Sequence, residues 1–152
     1  MRRLAAIIGG GAAVLAISLV VRWEGTIPKT YRDPVGILTA CTGHTGPELR
    51  MGQTFTAAEC DEMLAADLVS HARGVQDCIT EPMSDGEIAA YVSLAFNIGT
   101  GAFCGSTLAR KLNAGDHAGA CAELSRWTMA QGRVLPGLVK RRAAERQLCE
   151  TR

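Results

Sequence analysis

Eighteen consecutive residues, Leu4 to Val21, carry no charge. They hold Ile7, Ile8, Val14, Leu15, Ile17, Leu19, Val20 and Val21, so they must be buried in lipid or in protein. As one helix the run reaches roughly 27 Å, close to the hydrocarbon thickness of a bilayer. Arg2 and Arg3 precede it and keep the N-terminus on the cytoplasmic side. Residues 1–21 therefore read as a transmembrane signal segment and residues 22–152 as one exported domain. A cleaved signal peptide and an uncleaved anchor compete here. The anchor is the better reading, because Trp23 and Glu24 follow the run at once and cleavage there would threaten them. It is also a weak anchor. Gly9, Gly10 and Gly11 add no apolar surface, and five alanines add little.

Export gives the six cysteines, Cys41, Cys60, Cys78, Cys104, Cys121 and Cys149, an oxidising surrounding. None stands in a C-x-x-C pair, and His44, His71 and His117 show no metal-ligand spacing beside them, so no metal is expected. A disulfide framework fits an even count, and the sequence alone does not choose the pairing. The net charge of +1 gives no global field for nucleic acid. Lys140, Arg141, Arg142, Arg146 and Arg152 form a basic cluster diluted by Glu145 and Glu150, which reads as a solvated helix face.

Residues 22–46, with Gly25, Pro28, Pro34, Gly36, Gly43 and Gly46, predict irregular chain and a small β-hairpin. Helical signals follow. Thr56-Ala-Ala-Glu59 is a capping box that opens a helix to about Arg73, ended by Gly74. Ser84-Asp-Gly-Glu87 opens a second helix, apolar on nearly every side and stopped by Gly99, which predicts the buried centre of a helical lobe. Ser106 caps a short helix to Leu112, Asp116 starts another to Leu124, and Pro136 precedes a last one from Leu138 to Cys149. The class is α+β: a small β-hairpin lobe, then helices.

Glycoside hydrolysis needs an acid for the leaving oxygen and a second group to place water or attack carbon. Glu24 and Asp33 lie in the first irregular segment, and Thr39 follows. Trp23 and Ile27 beside Glu24 would raise its pKa if they packed on it. Asp33 and Thr39 at a hairpin turn and strand are able to hold one water between them. The bare spacing also describes a surface Glu, a turn Asp before Pro34 and a strand Thr.

The fuller run Glu24-Gly25, Tyr31-Arg32-Asp33, Gly36-Ile37-Leu38-Thr39 and Gly43-His44 resembles the catalytic lobe of the phage lysozymes, glycoside hydrolase family twenty-four. Thr54-Phe-Thr-Ala-Ala-Glu-Cys60, Ala95-Phe-Asn-Ile-Gly99, Arg126-Trp127 and Leu135-Pro-Gly-Leu138 with Arg141-Arg142 extend the resemblance to about residue 149. Within the family the sequence is most similar to lambdoid endolysins with a signal-anchor-release segment. The resemblance implies a lysozyme-like fold and hydrolysis of the β-1,4 bond between N-acetylmuramic acid and N-acetylglucosamine. It implies Glu24 as acid, Asp33 as water-positioning carboxylate and Thr39 as its hydroxyl partner. Asn97 and Arg142 are its substrate-binding candidates, and His44 reads as structural. It favours the bridges Cys41–Cys60 and Cys121–Cys149, leaving Cys78 with Cys104. The implied partners are peptidoglycan glycan strands, the inner membrane through residues 4–21 and, functionally, a holin. A monomer without cofactor is expected, first tethered at the inner membrane and later free in the periplasm. The rivals are a lytic transglycosylase, which needs neither Asp33 nor Thr39, and a non-catalytic membrane-anchored wall-binding protein.

Overall fold

A computed structural model describes residues 1–151. The N-terminal segment is not one straight helix. It forms α1 (Arg2–Ile8) and α2 (Gly10–Glu24), with a bend of 114° between them. No single helix among the described residues is long and apolar enough to cross a membrane, although the bent pair qualifies by length and composition. The break falls on Gly9, at φ 86° and ψ 155°, a conformation essentially reserved for glycine. The bend folds the apolar run against the body. Leu4, Ile8, Ala12, Ala13, Ala16, Ile17 and Val20 are buried in the main core.

Helix α2 continues through Arg22 and Trp23 to Glu24, where an irregular chain was expected. No breaker stands before Gly25, whose φ of 72° ends the helix while its N–H bonds the Val21 carbonyl. Strands β1 (Ile27–Arg32) and β2 (Leu38–Cys41) then form the expected antiparallel hairpin, with Tyr31 opposite Thr39 and Arg32 opposite Leu38. A small separate core of Ala40, Cys41, Leu49 and Cys60 lies under it.

The capping box at Thr56 opens α3 (Ala57–Cys78). This helix runs past Gly74 instead of ending there. A Cβ at Gly74 would collide with the Thr100 side chain, so this glycine serves close packing and not a cap. The box at Ser84 opens α4 (Asp85–Ile98), buried from Gly86 to Ala95 and stopped by Gly99 at φ 92°. Then come α5 (Thr100–Cys104), which has no clear signal in the sequence, α6 (Thr107–Asn113) and α7 (His117–Glu123), which passes into a 3-10 turn at Leu124–Arg126. A second unforeseen hairpin, β3 (Met129–Ala130) with β4 (Arg133–Val134), leads into α8 (Pro136–Cys149). The cysteines pair as 41–60, 78–104 and 121–149. Each such bridge stabilises by about 2–4 kcal/mol. The first fastens β2 to α3, and the third joins α7 to α8.

Candidate active site

Glu24 is the last residue of α2, at the mouth of a cleft of about 510 Å³ lined by Trp23, Glu24, Asn97, Arg141 and the turn from Leu135 to Leu138. A cavity of the same size lies between α1 and α3, lined by Arg2, Arg3 and Arg73. Glu24, not cavity size, makes the first of these the candidate site, and neither Asp33 nor Thr39 is among its lining residues. Glu24 is itself exposed, although Trp23, Leu135, Pro136 and Leu138 line the cleft beside it. Ile27 is exposed, and the carboxylate accepts a hydrogen bond from Arg141 Nη1 at 2.5 Å. Trp23 packs with its indole Nε1 buried and without a partner, while the Arg22 guanidinium lies 5.2 Å from its ring centroid.

Asp33 begins the turn between β1 and β2. Its N–H bonds the Ile37 carbonyl at 2.9 Å, and its Oδ1 accepts from the N–H groups of Val35 and Ile37 at 3.0 and 2.8 Å. Thr39 is buried in β2, and its hydroxyl donates to the same Ile37 carbonyl at 3.0 Å. Asp33 and Thr39 are thus locked together through one backbone residue. Only Gly25 and Thr26 separate Glu24 from the strand leading to Asp33, and Thr26 Oγ1 lies 3.0 Å from Thr42 Oγ1 beyond β2.

His44 ties this lobe to α3. Its Nδ1 lies 2.9 Å from Asp67 Oδ2 and its Nε2 2.6 Å from Glu48 Oε1. Burial pulls its pKa down, but hydrogen bonds and charge from Glu48 and Asp67 outweigh this and raise it.

The basic face of α8 is where expectation and structure part. Arg141, Arg142 and Glu145 are buried, not solvated. Arg142 is 1% exposed, so it offers glycan no open donor. Its Nε bonds the Trp127 carbonyl at 2.9 Å, and its Nη1 and Nη2 bond Glu145 and Asn97 Oδ1. Burial lowers its pKa, against the opposing pull of Glu145. Asn97 stays exposed at the end of α4 in the cleft. Arg141 is the basic residue that meets Glu24, and sequence could not tell it from its neighbour. Glu145 went unread as a site element, although its i,i+3 and i,i+4 spacing to the two arginines was a usable signal.

A glutamate at a helix end beside a carboxylate-bearing hairpin, packed on a helical lobe, defines a lysozyme-like glycoside hydrolase. The phage lysozyme family model matches residues 21–145, and the chain belongs to that family. It is 42% identical over 154 residues to the SAR-endolysin of Enterobacteria phage P21, covering 97% of this chain and 93% of the relative. A solved P22 lysozyme variant superposes with a TM-score of 0.82 at 35% identity, over 88% of this chain and 93% of that one. The active form of the phage P1 endolysin Lyz gives 0.69 at 26% identity, over 98% of this chain and 92% of that one. The chain is an endolysin-type lysozyme with muramidase activity.

Proposed function

We propose that this enzyme cleaves the β-1,4 bond from N-acetylmuramic acid to N-acetylglucosamine with Glu24 as the general acid and Asp33 and Thr39 holding the water. The observation that carries this reading is the shared Ile37 anchor. The Thr39 proton is committed to the Ile37 carbonyl, so its oxygen can only accept. An ionised Asp33 also only accepts, and Oδ1 already takes two backbone N–H bonds, leaving Oδ2 for water. A water between them donates both protons and turns a lone pair outward to the sugar carbon. Such a water needs carboxyl groups about 6.5–9.5 Å apart and leads to inversion. The exposed amide of Asn97 is suited to a sugar acetamide, whereas Arg142 supports it from behind.

Residues 4–21 serve in this reading as an anchor before they serve as core. Their apolar composition, the bent pair's fitness to span and the SAR-endolysin relatives support it. Large aliphatic side chains each contribute about 1.5–3 kcal/mol on leaving water, whether for lipid or for protein. Moving Leu4, Ile8, Ile17, Leu19 and Val20 from one to the other therefore costs little. The released segment brings Glu24 to Arg141, so tethered enzyme is inactive and enzyme freed into the periplasm, after a holin collapses the membrane potential, is active. The test of chemistry is Glu24→Gln on purified peptidoglycan. We expect the rate to drop by about 10²–10⁴ with the fold retained, and the unaltered enzyme to produce reducing ends. Anhydro ends would establish the transglycosylase, and an unchanged Glu24→Gln rate would remove Glu24 from the mechanism.

A further inference from the structure

Beneath the cleft lies a polar cluster made of α4 and α8. At its centre is Glu145, with no exposed surface. Its Oε1 accepts from Ser93 Oγ at 2.7 Å and from Arg141 Nε at 3.2 Å, and its Oε2 accepts from Arg142 Nη1. Ser93, itself fully buried, also receives Arg141 Nη2 on its hydroxyl at 3.3 Å and on its carbonyl at 3.4 Å. From this centre two arms reach the cleft. Arg141 Nη1 ends on Glu24, and Arg142 Nη2 ends on Asn97. Two guanidiniums against one carboxylate leave one positive charge, and Arg141 directs it at the Glu24 carboxyl.

We infer that Glu145 is a positioning residue for catalysis, setting from one buried carboxylate the orientation of both Glu24 and Asn97. The inference rests on the reading of Glu24 as the acid. A buried ion cluster of this kind adds little net stability over apolar packing, and its best-attested use is to fix one arrangement among several. Fixing is what this site requires, since a misplacement of about 1 Å can cost around 10²-fold in rate. Arg141 alone cannot do this. Its side chain is long, and Glu145 and Ser93 are what hold its remaining donors. Glu145 touches neither substrate nor solvent, so its effect passes through the two arginines.

The experiment compares Glu145→Gln and Ser93→Ala with the unaltered full chain in its released form, on soluble uncrosslinked glycan strands, across pH. Glu24 is met by Arg141 from α8 and shares its cleft with neutral Asn97 from α4, while Arg142, Glu145 and neutral Ser93 lie behind Arg141 and Asn97. Removing the Glu145 charge leaves two uncompensated guanidiniums beside Glu24. Its proton is then harder to keep, and the alkaline limb of kcat, which follows the acid's proton, moves to lower pH. We expect kcat of Glu145→Gln to fall at least tenfold, with that limb displaced. Ser93→Ala, which keeps every charge, should lose severalfold in kcat with the limb in place and KM within twofold. If Glu145→Gln does not fold, the kcat loss in Ser93→Ala decides alone. Unaltered kcat in folded variants overturns the inference. A failed reading of Glu24 is distinguishable, because Glu24→Gln would then stay active whatever the other variants do.

Discussion

Helices α2 and α4 are both strongly apolar, yet they are fastened in opposite ways. Helix α4 is pinned by polar groups. Ser84 and Glu87 close a reciprocal cap at its start, and Glu87 Oε1 lies 2.5 Å from His117 Nδ1 on α7. Helix α2 has no side-chain cap, is flanked by Gly9 and Gly25 at positive φ, and forms no ion pair among the described residues until Glu24. Its buried face is small: Ala12, Ala13 and Ala16 beside Ile17, Leu19 and Val20. One helix is specified by directional bonds that exist only in this fold. The other is held mainly by apolar contact, which a bilayer supplies equally well, and by a single ion pair at its C-terminal end. A segment with two homes should look like α2.

The sharpest way to break this comparison is to ask whether α2 is structural at all in the released enzyme. Leu94 of α4 is fully buried, and Leu94→Ala should cost about 2–5 kcal/mol. Leu19 of α2 is 7% exposed, and Leu19→Ala should cost a similar amount, near the lower end of that range. Denaturant unfolding of the two purified variants measures both. If Leu19→Ala unfolds like the unaltered enzyme, α2 is an appendage and the likeness between the helices is superficial.

A smaller effect separates the two homes proposed for the segment. Gly9 holds a backbone conformation that costs another residue about 1–3 kcal/mol. Alanine there also favours a continuous helix by about 1 kcal/mol. Gly9→Ala should therefore favour the straight, membrane-spanning form and delay lysis, with less enzyme in the soluble periplasmic fraction. A Cβ on Gly10 would meet no atom within 4 Å, and Gly10 lies within α2 without positive φ, so Gly10→Ala should release normally. Equal lysis times for the two variants would show that the bend is not what limits release.

What could be read from the sequence follows the same divide between local and distant causes. The caps of α3 and α4 were legible because Thr56 with Glu59 and Ser84 with Glu87 act within one turn. The turn at Asp33 was legible for the same reason. Gly74 misled, since its cause is Thr100, a residue on another helix. The helical Arg22–Glu24 was missed because nearby Gly and Pro residues outweighed the absence of any breaker before Gly25. Neighbouring residues on a helix point about 100° apart, so only tertiary packing reveals that Arg141 faces Glu24 while Arg142 faces Trp127 and Asn97. The bend at Gly9 lay beyond a reading that treated the apolar run as a single span, since straight and bent forms bury the same residues in different surroundings.

The hairpin lobe stands between the two helices, since beside the Cys41–Cys60 bridge its tie to α3 is polar but titratable. The His44 pKa is raised in the fold, despite burial, by Glu48 and Asp67. A raised value means stability that is fully present below the ordinary histidine pKa of about 6.5 and lost as pH climbs through the higher folded value. Glu48 is exposed, and its hydrogen bond from His44 lowers its pKa, so its share is present above the ordinary glutamate range of about 4.3 and fades as pH falls through the lowered value. The two limits leave a window between about pH 5 and 6.5 where the tie is complete. Thermal melts of the unaltered enzyme and His44→Gln should differ most inside that window and converge on the alkaline side. The difference should be small, as for other part-exposed pairs. A gap that is constant from about pH 5 to 9 would mean that His44 holds the lobe by shape and neutral hydrogen bonding. The hairpin would then be fastened without a charge that pH can remove.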